Sequence, residues 1–155
     1  MPDTKANPDT TVARKRWMAV LARAGATAIA ERLTACGGTP DYTRIRGPEG
    51  GLVMTRGRTG GGGAAFNLGE MTVTRCTVRS AGGLVGHAYV MGRDGRHAEL
   101  AALVDALMQD PERTEVLERD VIAPLDTAQR SRRTTIAGKA EATKVQFFAM
   151  RNMRT

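Results

Sequence analysis

The chain has 155 residues, with 23 Lys or Arg and 16 Asp or Glu, so its formal net charge is +7 and its pI is about 10.2. A hydrophobic fraction of 41% and a charged fraction of 25% exclude wholesale disorder and are typical of one globular domain. No apolar run approaches the roughly 20 residues that span a bilayer, and residues 1–11 lack the apolar centre of a signal peptide. We therefore expect a soluble, cytoplasmic protein without a membrane partner.

Residues 1–11 show no periodicity and predict a disordered leader that ends in an N-cap threonine, followed by a single domain over residues 12–155. From Val12 onward, apolar residues recur at three- and four-residue spacing, which indicates a helix. Gly25 is a weak point in this pattern. The prediction is one helix, or two short helices bent at Gly25, ending at the glycine pair 37–38.

The next fifty residues have strand character. Segments rich in Val, Thr and Tyr alternate with glycine clusters and predict four strands, at residues 42–46, 51–58, 66–79 and 84–92. The last two should form a β-hairpin around residues 80–83. Neither face of the final strand is cleanly polar, which allows both faces to be covered.

Helical spacing returns after the turn at residues 92–95. The clearest apolar stripe of the chain has the spacing of an amphipathic helix and comprises Leu100, Leu103, Val104, Leu107 and Met108. Asp110 followed by Pro111 predicts a second short helix. Asp126 and Gln129 resemble a capping box, which predicts a terminal helix running through Phe147 and Phe148. The fold class is therefore α+β, with an antiparallel sheet of about four strands flanked by N-terminal and C-terminal helices.

The terminal helix carries most of the net charge. Residues 127–155 contain seven basic residues and one acidic residue, a net charge of +6. A basic helix suits nucleic acid, nucleotide phosphates or an acidic partner surface, and a simple solvated face is the default. Stacking on single-stranded bases needs exposed aromatic rings, and aromatic residues make up only 4% of the chain.

Two segments favour anion binding. Arg58 stands in the glycine run 57–63, whose backbone N–H groups could wrap a phosphate, although the Gly-Lys-Ser/Thr of a phosphate loop is missing and a flexible connection is the favoured alternative. Arg93 and His97 lie at the start of a helix, where an ordinary capping arrangement is the alternative. Cys36 and Cys76 are too few for a disulfide framework and are expected to be reduced, packed thiols, and no metal site is predicted.

An ordered set of motifs is shared with a known family. They are Arg16-Trp17-Met18-Ala19, Gly51-Leu52-Val53-Met54, Phe66-Asn67-Leu68-Gly69-Glu70-Met71, Gly86-His87-Ala88-Tyr89-Val90-Met91-Gly92-Arg93-Asp94 and Ile122-Ala123-Pro124-Leu125. In these motifs the chain resembles the PhnG family, the G subunit of the bacterial carbon–phosphorus lyase system. The resemblance covers residues 14–151. The chain departs from the usual family pattern at Gly62, Gln146 and Ala149.

The resemblance implies a subunit of a transferase complex in phosphonate catabolism. Proteins of this family act with the H, I and L proteins to displace adenine from ATP by an alkylphosphonate, which yields a ribose 1-phosphonate 5-triphosphate. The G, H and I subunits form a core complex with the J subunit, a radical iron–sulfur protein that later cleaves the carbon–phosphorus bond. The resemblance thus implies no cofactor of the chain's own, ATP as co-substrate of the complex, and no nucleic-acid partner.

On the matching positions, the chemistry of the residues suggests two sets of contacts to the triphosphate or the phosphonate. One set is Arg58 with Gly60 and Gly61, and the other is Arg93 with His97. Turn or interface architecture is the alternative for both. A basic nucleic-acid-binding module, which uses the terminal helix, is the second hypothesis for the function of the chain.

Overall fold

The computed structural model describes residues 8–58 and 62–145. Its helices are α1 (Pro8–Ala24), α2 (Ala26–Ala35), α3 (Gly95–Leu107), α4 (Pro111–Leu117) and α5 (Ala123–Ala142), and its strands are β1 (Tyr42–Gly57), β2 (Phe66–Ser80) and β3 (Val85–Met91). The domain is α+β, as predicted. Within the described ranges, no helix combines the length and the hydropathy that crossing a membrane requires.

The sheet has three antiparallel strands in the order β1-β2-β3 rather than the predicted four. The first two predicted strands are one strand, β1, because the interruption at Gly47 and Pro48 is absorbed by register shifts between Arg44 and Glu49. Pro48 cannot donate a ladder hydrogen bond and Gly47 has a φ of 75°, so the strand bulges there without ending. The predicted hairpin between β2 and β3 is confirmed.

The first helical segment is bent where the sequence predicts. Gly25 has a φ of 85° and separates α1 from α2, which confirms the prediction of two helices. However, α1 begins at Pro8, four residues before the predicted start, because proline is well tolerated in the first turn of a helix. Residues 1–7 of the predicted leader lie outside the described residues.

Helix α3 is the centre of the core. Its apolar stripe is amphipathic in sequence, yet every residue from His97 to Leu107 is buried. The sheet packs against one side of α3 and helices α1 and α2 against the other. At Gly86 in β3, a Cβ atom would lie 2.0 Å from the Ala102 carbonyl oxygen, so strand and helix approach at backbone distance.

One face of the sheet is covered by helix α3, which contacts all three strands. In β3 the residues that face α3 are buried, whereas Tyr89 and Met91 on the opposite face are 56% and 71% exposed. The single chain therefore covers only one face of the sheet. This leaves an apolar surface open.

Helices α4 and α5 form one continuous helix, joined by a π-helical turn at Glu118–Ile122. Asp126 lies inside α5 and accepts from Arg130, so the predicted capping box at Asp126 is wrong as a helix start. Because Pro124 has no N–H, it fits directly after the wider π-helical turn without ending the helix. Phe147 and Phe148 lie outside the described residues.

Candidate functional site

A groove of about 500 Å³ lies where the turn between β3 and α3 meets the middle of β1 and β2. It is lined by Pro48, Gly50, Gly51, Leu52, Thr72, Thr74, Arg93 and Gly95. The Thr74 hydroxyl donates to the Gly92 carbonyl oxygen over 2.7 Å and so fixes this turn on β2. An exposed guanidinium, that of Arg93, thus lies in a concave site beside a helix N-terminus. Both features favour an anion.

The two residues predicted together at this helix start face different surroundings. Arg93 is exposed in the groove, but His97 is only 6% exposed. The His97 Nε2 atom lies 2.8 Å from the Leu21 carbonyl oxygen and 3.3 Å from the Gly25 nitrogen. One ring nitrogen cannot donate and accept at once, and the shorter contact indicates that it donates to Leu21. The imidazole therefore holds the bend between α1 and α2.

The capping arrangement considered for this turn is present. The Asp94 Oδ1 atom accepts a hydrogen bond from the His97 backbone N–H over 2.9 Å, as an N-cap aspartate does. Asp94 therefore satisfies one of the free N–H groups of α3.

Arg58 lies at the far end of a projecting hairpin. Strand β3 pairs with β2 only from Val73 onward, so residues 53–57 and 66–71 form a two-stranded extension, here called the hairpin arm. Its tip carries Arg58, which is exposed, whereas Gly60 and Gly61 lie outside the described residues. From the tip to the groove, β2 runs six residues, or about 20 Å. The structure does not bring Arg58 and Arg93 into one cluster.

The uncovered side of the sheet, here called the open face, surrounds one guanidinium. In the sheet, Arg75 of β2 lies opposite Tyr89 of β3 on one side and opposite Glu49 of β1 on the other. The Arg75 Nε lies 3.4 Å from the Glu49 Oε1. The pKa of Glu49 is lowered chiefly by its hydrogen bond from Arg46. Exposed apolar side chains at Val53 and Met91 flank this group. A mixed apolar and charged patch of this kind is typical of an interaction surface.

The carboxylate of Asp105 on α3 is a structural group that sequence reasoning missed. Its side chain is completely buried and accepts from Arg14 (2.7 and 3.1 Å), from Trp17 Nε1 (2.9 Å) and from the His87 backbone N–H (2.9 Å). All its acceptor positions are thus used within the domain. The sequence signal for it was a single acidic residue in the otherwise uncharged segment 100–108 of α3 and its C-cap.

Glu99 on α3 is satisfied in the same way. It accepts from the Tyr42 hydroxyl and from Arg44 Nε, each over 2.7 Å. Burial, and next this hydrogen bond, raise the pKa of Tyr42. The acidic residues of the core therefore serve the fold.

Metal and thiol chemistry find little support in the part of the chain that the structure describes. Within it, no three His, Cys, Asp or Glu side chains are grouped as metal ligands. Cys36 and Cys76 are both free, as predicted, and burial raises the pKa of the Cys76 thiol above its usual range. A raised thiol pKa lowers nucleophilic reactivity at neutral pH.

A groove that carries the exposed guanidinium of Arg93, a projecting arm and an open apolar sheet face are typical of a protein that acts as a subunit of a larger assembly. The chain belongs to the PhnG family: residues 12–152 match the family described as "Phosphonate metabolism protein PhnG". A curated relative from Rhizobium meliloti (strain 1021) is 43% identical over 154 residues, which cover 97% of this chain and 96% of the relative. That protein is named alpha-D-ribose 1-methylphosphonate 5-triphosphate synthase subunit PhnG. The family resemblance seen in the sequence motifs is confirmed.

Proposed function

We propose that this chain is a subunit of an alpha-D-ribose 1-methylphosphonate 5-triphosphate synthase, active together with counterparts of the H, I and L proteins and assembled with a J subunit. The observation that carries the proposal is the 43% identity, over 97% of the chain, to the relative of that name. The complex transfers the ribose triphosphate moiety of ATP to an alkylphosphonate. ATP is its co-substrate, and this chain brings no cofactor of its own.

The reaction is a displacement at the ribose C1′ of ATP. A phosphonate oxygen forms a bond to C1′, the bond between C1′ and N9 of adenine breaks, and adenine leaves with the electron pair and takes up a proton. The 5′-triphosphate is unchanged. Catalysis therefore depends on holding two polyanionic groups in line and on stabilising the departing base.

Within such a complex, this chain contributes cationic contacts. The groove at Arg93 is the stronger candidate because it is concave and combines a guanidinium with the start of α3. Arg58, with Gly60 and Gly61, is a second candidate at the tip of the hairpin arm. Because the arm separates the two positions by about 20 Å, they cannot hold the same phosphate group. The inward ring of His97 supports a positioning role rather than a phosphate contact.

The open face supports a role that requires partners. An antiparallel sheet with one apolar face uncovered, and a two-stranded arm that extends beyond the third strand, are poorly stabilised in an isolated chain. Exposed apolar residues continue along the arm at Met54, Phe66 and Leu68. Burial of these surfaces against other subunits accounts for their chemistry.

The proposal is tested by adenine release from ATP and methylphosphonate, with counterparts of the H, I and L proteins in the presence and absence of this chain. We expect release only when the chain is present, and none from the chain alone. Equal release in its absence would contradict the proposal.

Variants in the same assay test the groove. Arg93→Gln should raise the KM for ATP or methylphosphonate about tenfold, the effect of losing one charge-assisted contact. Arg79→Gln is a matched control, because Arg79 is also an exposed arginine but lies near the C-terminal end of β2, outside the groove lining. An equal rise in KM for both variants would remove Arg93 from the proposed site.

A further inference from the structure

We infer that the second half of α5, with the three residues that follow it (residues 130–145), is a docking segment that binds an acidic-rimmed apolar groove on another subunit. Which complex supplies that subunit rests on the proposed function. Every residue in this segment is exposed, although the helix itself continues to Ala142. Isolated helices of this length are marginal in water, and Gly138 weakens this one further. The segment therefore gains its stability from a contact outside its own domain.

The side of the helix that would dock is defined by continuity with the first half of α5. There, Leu125 is buried at 5% exposure, and Gln129 Nε2 donates to the Val20 carbonyl oxygen of α1 over 2.8 Å. At 100° per residue, Ile136 and Ala140 continue the same stripe beyond the edge of the domain. Ile136 is 61% exposed. The contact stripe thus extends past the surface that its own chain provides.

The charge pattern identifies the chemistry of the partner. Residues 130–145 carry five basic residues and one acidic residue. Three of the basic residues, Arg132, Arg133 and Lys139, lie within about 60° of Ile136 around the helix axis, on the half of α5 here called the docking half. Arg130 pairs with Asp126 and Lys144 pairs with Glu141. Within residues 8–58 and 62–145, no ion pair is formed by Arg132, Arg133 or Lys139. Apart from Arg130 and Glu141, the opposite half carries small, uncharged residues, among them Ser131, Thr134, Thr135, Gly138 and Ala142.

An acidic partner protein fits this pattern better than a second copy of the chain or a nucleic acid. Residues 1–126 have a net charge of +1, so a second copy brings no net negative charge to this basic helix. A nucleic acid would neutralise the arginines but offers no apolar groove for Ile136. Residues 130–145 also contain no aromatic ring for base stacking. An apolar anchor with basic flanks matches helix-in-groove recognition with a charged rim.

The test compares two double variants of the full chain that lower its charge equally. Arg132→Gln combined with Lys139→Gln changes the docking half, whereas Ser131→Glu combined with Thr135→Glu changes the opposite half. Each is co-expressed with tagged counterparts of the H, I and J subunits, and the dissociation constant of the chain is measured. We expect about tenfold weaker binding for the first pair and for Ile136→Ser, and a change within about twofold for the control pair. A urea unfolding midpoint equal to that of the unmodified chain, followed by Trp17 fluorescence, verifies that the domain of each variant is intact.

Each outcome has a distinct meaning. Failure of the unmodified chain to bind any of these subunits would overturn the proposed function and, with it, the identity of the partner. If the unmodified chain binds and the docking-half variants bind equally well, the docking segment is wrong while the proposed function stands. If both double variants weaken binding equally, net charge rather than the docking half determines binding, and the inference is overturned. Loss of binding to a DNA duplex, with subunit binding retained, would assign the helix to nucleic acid and overturn the inference.

Discussion

The indole Nε1–H of Trp17 donates a hydrogen bond to the Oδ1 of Asp105 over 2.9 Å and joins α1 to the last turn of α3. The same buried carboxylate accepts from Arg14 and from the His87 backbone, so it connects α1, α3 and β3. Four donors are satisfied by two oxygen atoms that have no access to water. This cluster fixes the C-terminal end of α3, whereas the groove lies at its N-terminal end.

Asp105→Ala should lower the free energy of unfolding by about 3 kcal/mol, because it leaves a partly buried guanidinium and a buried indole N–H without an acceptor. Urea unfolding followed by the fluorescence of Trp17, the single tryptophan, measures this loss. Glu141→Ala, on the exposed part of α5, is the control and should change stability by less than about 0.5 kcal/mol. Similar losses for both variants would show that the buried cluster contributes little.

Gly86→Ala should destabilise the domain by about 3 kcal/mol or more, since the added methyl group would lie 2.0 Å from the Ala102 carbonyl oxygen and 2.4 Å from the Ala106 nitrogen. Both are backbone atoms, so β3 and α3 must separate. Gly138→Ala has open space and should instead stabilise α5 by up to about 1 kcal/mol. Thermal unfolding of the two variants should therefore shift in opposite directions.

His97→Phe should lower the free energy of unfolding by about 1–2 kcal/mol, because the Leu21 carbonyl oxygen loses its donor at the bend between α1 and α2. Once the complex is assembled, the variant should leave the KM for ATP and for methylphosphonate unchanged. A variant of normal stability with a raised KM would instead place the imidazole in the substrate site, as the sequence suggested.

The raised pKa of Tyr42 predicts that the folded domain loses stability at alkaline pH. Its pKa is raised in the folded state above the ordinary value of 10.0, first by burial and then by the hydrogen bond to Glu99. The unfolded phenol therefore ionises at lower pH than the folded one, and the stabilisation is complete below pH 10 and declines as pH rises. Tyr42→Phe should cost about 1 kcal/mol at pH 8, and its difference from the unmodified chain should shrink above pH 10. Urea midpoints across this range measure it, and a constant difference would contradict the assignment.

Met91→Ser on the open face should change the stability of the isolated chain little, because the side chain is already 71% exposed. In the complex it should weaken subunit association by about tenfold, as loss of a buried interface side chain does. Val116→Ser on α4, also exposed, serves as the control for general surface effects. Equal retention of both variants on tagged subunits would show that the open face is not an interface.

Local signals in the sequence predicted local structure well. Gly25 marks a helix break because its φ of 85° together with a ψ of 155° is a conformation essentially restricted to glycine. Asp110 caps α4 with Pro111 at its first position. The hairpin between β2 and β3 also follows from neighbouring residues. Each of these features depends on a few consecutive positions.

Features that depend on distant residues were not predictable in the same way. The amphipathic pattern of α3 gave no indication that its polar positions are buried. That burial depends on Asp105 finding Trp17 of α1, and on Glu99 finding Tyr42 of β1, both far away in sequence. The capping-box interpretation at Asp126 failed because the π-helical turn before Pro124 keeps the helix continuous. At the candidate site, the chemistry of Arg93 and His97 was readable from sequence, but the inward direction of the imidazole was not.

Because of the open face, the amount of this chain relative to its partner subunits matters. Molecules produced in excess of their partners would display Tyr89 and Met91 on the open face, together with the outer edge of β1, which pairs with no further strand among the described residues. Exposed apolar side chains and an unpaired strand edge are features from which sheet proteins aggregate. A cell that uses such a subunit must therefore match its synthesis to that of its companions or remove the surplus. One uncovered sheet face thus constrains the ratio in which the subunits are expressed.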